Sequence, residues 1–209
     1  LVVFDVGANC GQFLNLAVGR LGNQLRNIHS FEPAAATFAA LQQAKPNHAG
    51  VVLNNLALGA APGKAELYYD AEKSGLASLT KRDLGFRKIE FERHETITIS
   101  TLDAYCAEKS INHIDWLKLD VEGHEFDVLR GGSAMFAKRA VDLVTFEFGG
   151  CNIDTRTFLR DFYQFFEKQD MDLYRITPGG YFNQVKRYRE TEEQFATANF
   201  VAMRRPANK

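Results

Sequence analysis

The chain has 209 residues, 45% of them hydrophobic, which is enough for one α/β domain with a substantial core and too few for a second full domain. Its 25 Lys and Arg residues are balanced by 26 Asp and Glu residues, so the broad positive field that nucleic-acid binders usually carry is missing. The three cysteines are isolated from one another, which disfavours a disulfide framework and a zinc site. The sequence has no apolar run of about eighteen residues and no signal peptide, so we expect no membrane binding and a cytoplasmic location.

Apolar runs that end in turn residues alternate along the chain with segments of helical spacing. The runs that predict strands are LVVFDV (1–6), NIHSFEP (27–33), VVLNNLALG (51–59), IDWLKLDV (114–121), VDLVTFEFG (141–149), LYRIT (173–177) and NFVAMRR (199–205). The segments that predict helices cover 12–25, 34–44, 122–130 and 155–169. This alternation predicts βαβ units that form a Rossmann-like, mostly parallel sheet with helices on both faces.

Residues 60–103 depart from the alternation. Two segments with period-two patterning, KAELYYD (64–70) and HETITISTLD (94–103), flank the polar stretch SGLASLTKRDLGFRK (74–88). We expect an inserted hairpin or flap over about 60–103, within a single domain of residues 1–209. An ordinary edge decoration is an equal alternative, because loops beside a site and loops far from one look alike in sequence.

The turn in FDVGANCGQF (4–13) is the first sign of a ligand site. A strand-turn-helix unit has unpaired backbone N–H groups at the helix N-terminus, and glycines there let a polar ligand come close. The dinucleotide fingerprint GxGxxG fails at its second and third glycines, and the Lys-Ser/Thr pair of a phosphate loop is missing. Asp5 at the mouth repels pyrophosphate and suits the ammonium of an amino acid moiety, which is the chemistry of S-adenosylmethionine.

Glu32 ends the second strand-like run and can accept hydrogen bonds from both hydroxyls of a ribose. A lone acid at a strand end is more often a helix N-terminal charge, but beside the glycine turn we interpret it as a ligand. A nicotinamide oxidoreductase would share the fold and the ribose, and a non-catalytic cofactor-binding module would share the turn. Both functions therefore stand as alternatives to methyl transfer.

The chain resembles the FkbM family of class I S-adenosylmethionine-dependent methyltransferases over nearly its whole length. The resemblance is carried by FDVGANCGQF (4–13), FEP (31–33), NLALG (55–59), STLD (100–103) and above all DWLKLDVEGHEFDVLRGG (115–132). It implies a seven-stranded sheet with a reversed terminal hairpin and an antiparallel last strand. It also implies methyl transfer, usually to a hydroxyl oxygen of a sugar, a polyketide or a related metabolite.

Carried over to this sequence, the resemblance implies roles for individual residues. The residues implied to hold the methionine end of the cofactor are Asp5, Gly7, Asn9 and Gly11, and Glu32 would hold the ribose. Asn55 would lie near the adenine, with a strand-cap amide as a nearly equal alternative, and Ser78 would fold toward the cofactor.

Three titratable residues follow the fourth strand, in LKLDVEGHE (117–125). Ligands of an open α/β sheet bind beyond the carboxyl ends of its strands, which places Asp120, Glu122 and His124 in one pocket opposite the glycine turn. An alcohol attacks a sulfonium methyl group better as a base removes its proton, and His124 is our first choice, with Asp120 or Glu122 orienting it or the acceptor. Alternatively, Glu122 and Glu125 simply favour a helix N-terminus, and His124 satisfies a backbone carbonyl. A divalent metal held by the three residues is conceivable, but their spacing does not favour it.

The expected acceptor is a small molecule or a glycan. The NPPY tetrad and the Pro-Cys nucleophile that act on nucleic-acid bases are absent. Glu147, at the end of the fifth strand, is a further carboxylate at the same edge. The chain opens directly on a strand, so we expect further residues upstream of Leu1, and the sequence carries no signal for an oligomeric state.

Overall fold

The computed structural model describes residues 1–206 of the chain. Its strands are β1 (Val2–Val6), β2 (Asn27–Phe31), β3 (Val51–Asn54), β4 (Ala57–Leu58), β5 (Gly63–Tyr69), β6 (Arg93–Ser100), β7 (Ile114–Leu119), β8 (Val141–Phe148), β9 (Met171–Ile176), β10 (Phe182–Gln184) and β11 (Ala198–Arg204). Its α-helices are α1 (Gln12–Leu21), α2 (Ala35–Gln43), α3 (Leu102–Glu108), α4 (Glu125–Gly131), α5 (Ser133–Ala137), α6 (Cys151–Thr155) and α7 (Leu159–Lys168).

The central sheet has eight strands in the order β10-β9-β11-β8-β7-β1-β2-β3. Strands β3, β2, β1, β7 and β8 are parallel, and β11 is antiparallel to both of its neighbours, β8 and β9. The prediction of a mostly parallel, Rossmann-like sheet with an antiparallel last strand is confirmed. The sheet has one strand more than the expected seven because β10 pairs with the edge of β9. With three exposed residues, β10 is too short to show an apolar pattern.

Helices cover both faces of the sheet, as the alternation of elements predicts. Neighbouring residues of a strand point to opposite faces, so adjacent side chains of β1 enter different cores. Val3 lies in the smaller core, beneath α1 and α2, and Phe4 lies in the larger core, with residues of α3, α4, α5 and α7. The carboxyl end of β1 is therefore held rigidly between two packed layers.

The helices differ from the predicted segments mainly at their ends. The predicted helix 155–169 corresponds to α7, which begins at Leu159, because Arg156 has a φ of 56° and ends the preceding helix α6 in a left-handed conformation. Helix α4 begins at Glu125 rather than at 122, since Glu122 and Gly123 also have positive φ angles. Helices α3 and α5 have 7 and 5 residues, too few for their periodicity to show. None of the helices in residues 1–206 is long and apolar enough to span a membrane.

A second, three-stranded sheet has the order β4-β6-β5. Strands β5 and β6 form an antiparallel hairpin, and the connection between them, residues 70–92, contains the polar stretch identified in the sequence. Leu67 and Ile97 of the hairpin pack against Ala34, which precedes α2. The connection folds back on β5 through two backbone hydrogen bonds between Tyr68 and Ser78, at 2.9 and 3.0 Å. This arrangement places the hairpin against the carboxyl end of β2.

Candidate functional site

A cavity of about 710 Å³, measured out to its open mouth, lies at the carboxyl ends of β1, β2 and β7. Three of the ten predicted site residues, Asp5, Gly11 and Asn55, do not line it. The seven that do are Gly7, Asn9, Glu32, Ser78, Asp120, Glu122 and His124. The structure therefore brings together residues from the glycine turn, β2, the hairpin and the loop after β7.

The turn after β1 is held by the strand beside it. Gly7 N and Ala8 N donate hydrogen bonds of 3.0 and 2.9 Å to Phe31 O, so these two amides are not free for a ligand. Gly7 has a φ of +82°, and a Cβ on it would lie 1.8 Å from Asp120 O. Asn9 also has a positive φ, of 47°, which asparagine tolerates better than most residues. The start of the turn is thus bare backbone packed closely against the end of β7.

Asp5 lies beneath this turn, fully buried, and does not reach the cavity. Its Oδ1 is 3.0 Å from Lys118 Nζ, which is also 3.3 Å from Asp120 Oδ2 and donates a 3.0 Å hydrogen bond to Gly7 O. Burial lowers the pKa of Lys118, but the two carboxylates outweigh burial and hold this pKa above its ordinary value. The ammonium group that Asp5 contacts therefore belongs to Lys118 of the neighbouring strand.

Gly11 and Asn55 support the site from behind. Gly11 precedes α1 with a φ of +88°, which favours glycine, and a Cβ on it would lie 2.9 Å from Leu41 Cδ1, so the Leu41 side chain would have to shift. Asn55 Nδ2 donates hydrogen bonds of 3.0 and 2.9 Å to Glu32 O and Pro33 O. It fixes the backbone around Glu32, which is the strand-cap alternative considered for it.

Glu32 is the buried acid of the cavity wall. Its Oε2 accepts a 3.0 Å hydrogen bond from Asn9 N, and its Oε1 accepts one of 3.0 Å from Ala34 N. Burial raises the pKa of this carboxyl to about 7, although both amides act to lower it. Each oxygen keeps a lone pair for a further donor, so the carboxylate can still receive two hydroxyl groups.

The loop after β7 turns sharply because two successive residues have positive φ angles, 53° at Glu122 and 103° at Gly123. The carboxylate of Glu125, at the start of α4, organises this loop. It is fully buried and accepts hydrogen bonds from Val121 N at 2.9 Å and from Gly123 N at 3.1 Å. The helix N-terminal role that the sequence left open thus fits Glu125, whereas Asp120 and Glu122 face the cavity.

Both ring nitrogens of His124 have partners within the protein. Nδ1 is 2.9 Å from Asp127 Oδ2, and Nε2 is 3.0 Å from Thr80 Oγ1. A carboxylate at Nδ1 favours the tautomer with hydrogen on Nδ1, so Nε2 accepts the hydroxyl hydrogen of Thr80. Neither Asp127 nor Thr80 lines the cavity. His124 therefore lies at the cavity wall with both of its nitrogens directed to other partners.

The connection between β5 and β6 contacts this loop at alternate residues. Ser78 Oγ donates a 2.9 Å hydrogen bond to Glu122 O, Thr80 contacts His124, and Arg82 Nη1 is 2.7 Å from Glu122 Oε2. Arg82 Nε is also 3.2 Å from Asp154 Oδ2 of α6. We refer to residues 78–82 as the strap.

Four residues of the site were not among the predicted ones: Lys118, Thr80, Arg82 and Asp127. A local signal existed for Asp127, which follows His124 by three residues at the start of a helix and so lies on the same helical face. The alternation of Ser78, Thr80 and Arg82 in the strap is a weaker signal, typical of extended backbone with one face directed at a neighbour.

A metal site was considered for Asp120, Glu122 and His124. In the described part of the chain, a different set of residues has potential metal-ligand atoms within 4.8 Å of one another. This set lies at the opposite edge of the sheet, where β7 and β8 begin. These are His113, Asp115 and Asp142. The three residues at the cavity do not form such a group.

A family model described as "Methyltransferase FkbM domain" matches residues 5–173, which run from β1 to β9 and include all the cavity residues. The chain belongs to the FkbM methyltransferase family. The resemblance inferred from the sequence motifs is thereby confirmed.

Individual proteins are similar to the chain in sequence or in fold. The chain is 31% identical over 145 residues to "Methyltransferase 1" of Beauveria bassiana (strain ARSEF 2860), covering 62% of this chain and 57% of that protein. It shares the fold of methyltransferase FkbM from Methylobacillus flagellatus KT, with a TM-score of 0.56 and 14% identity over 95% of this chain and 42% of that one. A looser superposition, with a TM-score of 0.45 and 8% identity, relates it to the plantazolicin methyltransferase BpumL in complex with SAH, over 98% of this chain and 76% of that one. The chain thus spans little more than half of the curated relative that it matches.

Proposed function

We propose that the protein transfers a methyl group from S-adenosylmethionine to a hydroxyl group of a sugar, a polyketide or a related small metabolite. The observation that carries the proposal is the composition of one cavity. Its wall combines the bare backbone of Gly7, the buried carboxylate of Glu32 and the acidic loop after β7. Family membership supports the methyl-transfer part of the proposal.

The residues of the cavity fit this cofactor. A Cβ at Gly7 would collide with the backbone of Asp120, so the turn presents no side chain to a ligand. Glu32 has one lone pair left on each oxygen, which suits two neighbouring ribose hydroxyls. The apolar wall that would enclose an adenine is formed by Leu56, Leu58, Leu67, Leu79 and Ile97. Asn9 and Asp120 also line the cavity, and in this proposal they hold the amino acid end.

When bound, S-adenosylmethionine supplies an electrophilic methyl group on a positively charged sulfur. Asp120 and Glu122 line the cavity, and Glu147 is close enough to raise the pKa of Glu122. Carboxylates at this end favour a cationic donor and can accept the proton that an attacking hydroxyl loses. The proposed partner is therefore a small-molecule or glycan alcohol that enters from the open mouth.

Calorimetry and a transfer assay test the proposal. We expect the protein to bind S-adenosylhomocysteine, to bind NADH more weakly or not at all, and to transfer a labelled methyl group to an alcohol from a library of sugars and polyketide alcohols. Preferred binding of NADH would instead support a nicotinamide oxidoreductase. Binding of S-adenosylhomocysteine without transfer to any acceptor would support a non-catalytic module.

The affinity for S-adenosylhomocysteine is expected to rise with pH through neutrality. Only ionised Glu32 can accept from both ribose hydroxyls, and burial raises the pKa of Glu32 to about 7. About a tenth of Glu32 is then ionised at about pH 6 and about nine tenths at about pH 8, so Kd should fall roughly tenfold over this interval. Calorimetry at both pH values measures the change.

Two variants show whether this pH dependence belongs to Glu32. Glu32→Gln should bind more weakly and lose most of the dependence, whereas Glu108→Gln, at an exposed position outside the cavity lining, should behave as the wild type. A wild-type Kd that is the same at both pH values would argue against a ribose at Glu32.

A further inference from the structure

The strap holds Glu122 in a defined position. Ser78 binds the backbone of Glu122 and Arg82 binds its carboxylate, so the residue is fixed at two points by the same five-residue segment. The Arg82 side chain is only 6% exposed and is itself anchored by Asp154 of α6. A guanidinium that is held from both sides leaves its carboxylate partner little freedom to rotate.

Only one oxygen of the Glu122 carboxylate is engaged. Oε2 contacts Arg82 at 2.7 Å, and within residues 1–206 Oε1 has no hydrogen-bond partner. The side chain is 16% exposed and lines the cavity. Glu122 therefore lines the cavity with one carboxylate oxygen held by Arg82 and the other without a partner in the part of the chain that the structure describes.

His124, the first choice for the base from the sequence, is placed differently. A general base needs a free lone pair within hydrogen-bond reach of the proton that it removes. The Nε2 lone pair of His124 is directed at the hydroxyl of Thr80, 3.0 Å away, and Nδ1 faces Asp127. An acceptor could reach this lone pair only by displacing the hydroxyl of Thr80, which belongs to the strap that Ser78 and Arg82 hold in place.

We propose that Glu122 is the catalytic base of the methyl transfer and that Arg82 is the positioning residue that holds it; this inference rests on the proposed function. The acceptor oxygen forms its bond to the methyl carbon while the carbon–sulfur bond breaks and its electron pair stays on sulfur. The hydroxyl proton passes to Oε1 of Glu122 and then to solvent. His124 links the strap to α4 and shapes the wall.

The charges around Glu122 suit this role. Burial raises its pKa to about 7, Arg82 lowers it, and neighbouring carboxylates raise it further. A base with a pKa near the working pH is the most effective one. The carboxylates that raise the pKa of Glu122 are Asp120 in the loop after β7, Glu125 in α4 and Glu147 in β8. Asp154 of α6 contacts the same guanidinium of Arg82.

The first test is turnover with the fastest acceptor from the alcohol library. Glu122→Gln should lower kcat by at least about 10²-fold and change Kd for S-adenosylhomocysteine by less than about threefold. Arg82→Met should lower kcat at least about tenfold and move the acidic limb of the pH profile to higher pH, and Arg82→Lys should restore the limb in part. A thermal melt of each variant shows whether it is folded. If Arg82→Met does not fold, Asp154→Asn replaces it in the test, because it removes the charged partner of the same guanidinium.

The second test needs no acceptor. Carbon-13 NMR of glutamate-labelled protein, with S-adenosylhomocysteine bound, should show a carboxyl resonance with a midpoint near pH 7 that is absent from Glu122→Gln and moves upward in Arg82→Met. A kcat for Glu122→Gln within about threefold of wild type, or a Glu122 midpoint below about pH 5.5, would overturn the assignment and leave methyl transfer standing. A wild-type protein that does not bind S-adenosylhomocysteine would overturn both.

Discussion

Replacing Gly7 with alanine is expected to abolish binding of S-adenosylhomocysteine and to lower the free energy of unfolding by about 3–5 kcal/mol. The new Cβ would lie 1.8 Å from Asp120 O, and the backbone φ of +82° is unfavourable for alanine. Since Asp120 O is a backbone atom at the end of β7, the clash cannot be relieved by rotating a side chain. The ends of β1 and β7 would have to separate, and both carry the cavity wall.

Gly19 provides the matched control for this substitution. It lies in α1, and an added Cβ would meet nothing within 4 Å. Gly19→Ala should therefore stabilise the protein by about 0.5–1 kcal/mol through helix propensity and leave cofactor affinity unchanged. Denaturant unfolding and calorimetry on both variants measure the contrast. Normal binding by Gly7→Ala would mean that the turn does not form the cofactor site.

The sheet could be predicted from the sequence because strands buried on both faces are continuous apolar runs. LVVFDV and VDLVTFEFG correspond closely to β1 and β8, and each ends at a turn that the composition marks. Elements that are too short to show such a pattern could not be predicted. Strand β10 has three exposed residues and α5 has five residues, so neither spans enough of its period to be seen.

The site could be predicted where it depends on the sheet alone. Gly7, Glu32 and Asp120 each follow a parallel strand, and the carboxyl ends of parallel strands meet at one edge. Contacts made across the hairpin could not be predicted in this way. Arg82 and Glu122 are 40 residues apart, and their 2.7 Å contact depends on how residues 70–92 fold back over the loop. No local pattern encodes that path.

Asp5 lies beside the glycine turn, as the sequence predicts, but its contact differs from the predicted one. From the sequence, its carboxylate was expected to meet the ammonium group of the cofactor. In the structure it is fully buried against Lys118, which binds Asp120 and the carbonyl of Gly7 as well. Asp5 therefore acts on the turn from beneath, through a side chain of β7.

Asp5→Ala is expected to lower the free energy of unfolding by about 3–5 kcal/mol, because it leaves the mostly buried ammonium of Lys118 without its innermost partner. Binding of S-adenosylhomocysteine should weaken strongly as well, since the uncompensated ammonium of Lys118 would move and distort the turn that it contacts at Gly7 O. Denaturant unfolding and calorimetry measure the two losses. Unchanged affinity in this variant would show that the turn does not depend on the ion pair.

A double variant distinguishes support of the turn from direct contact with the cofactor. Asp5→Asn combined with Lys118→Met removes both charges and leaves no uncompensated ammonium, so at least about 2 kcal/mol of the stability lost in Asp5→Ala should return. If Asp5 only supports the turn, cofactor affinity should recover with stability, to within about tenfold of wild type. If Asp5 binds the ammonium of the cofactor directly, the double variant should fold well and still fail to bind. Since the structure places Lys118 between Asp5 and Asp120, we expect recovery.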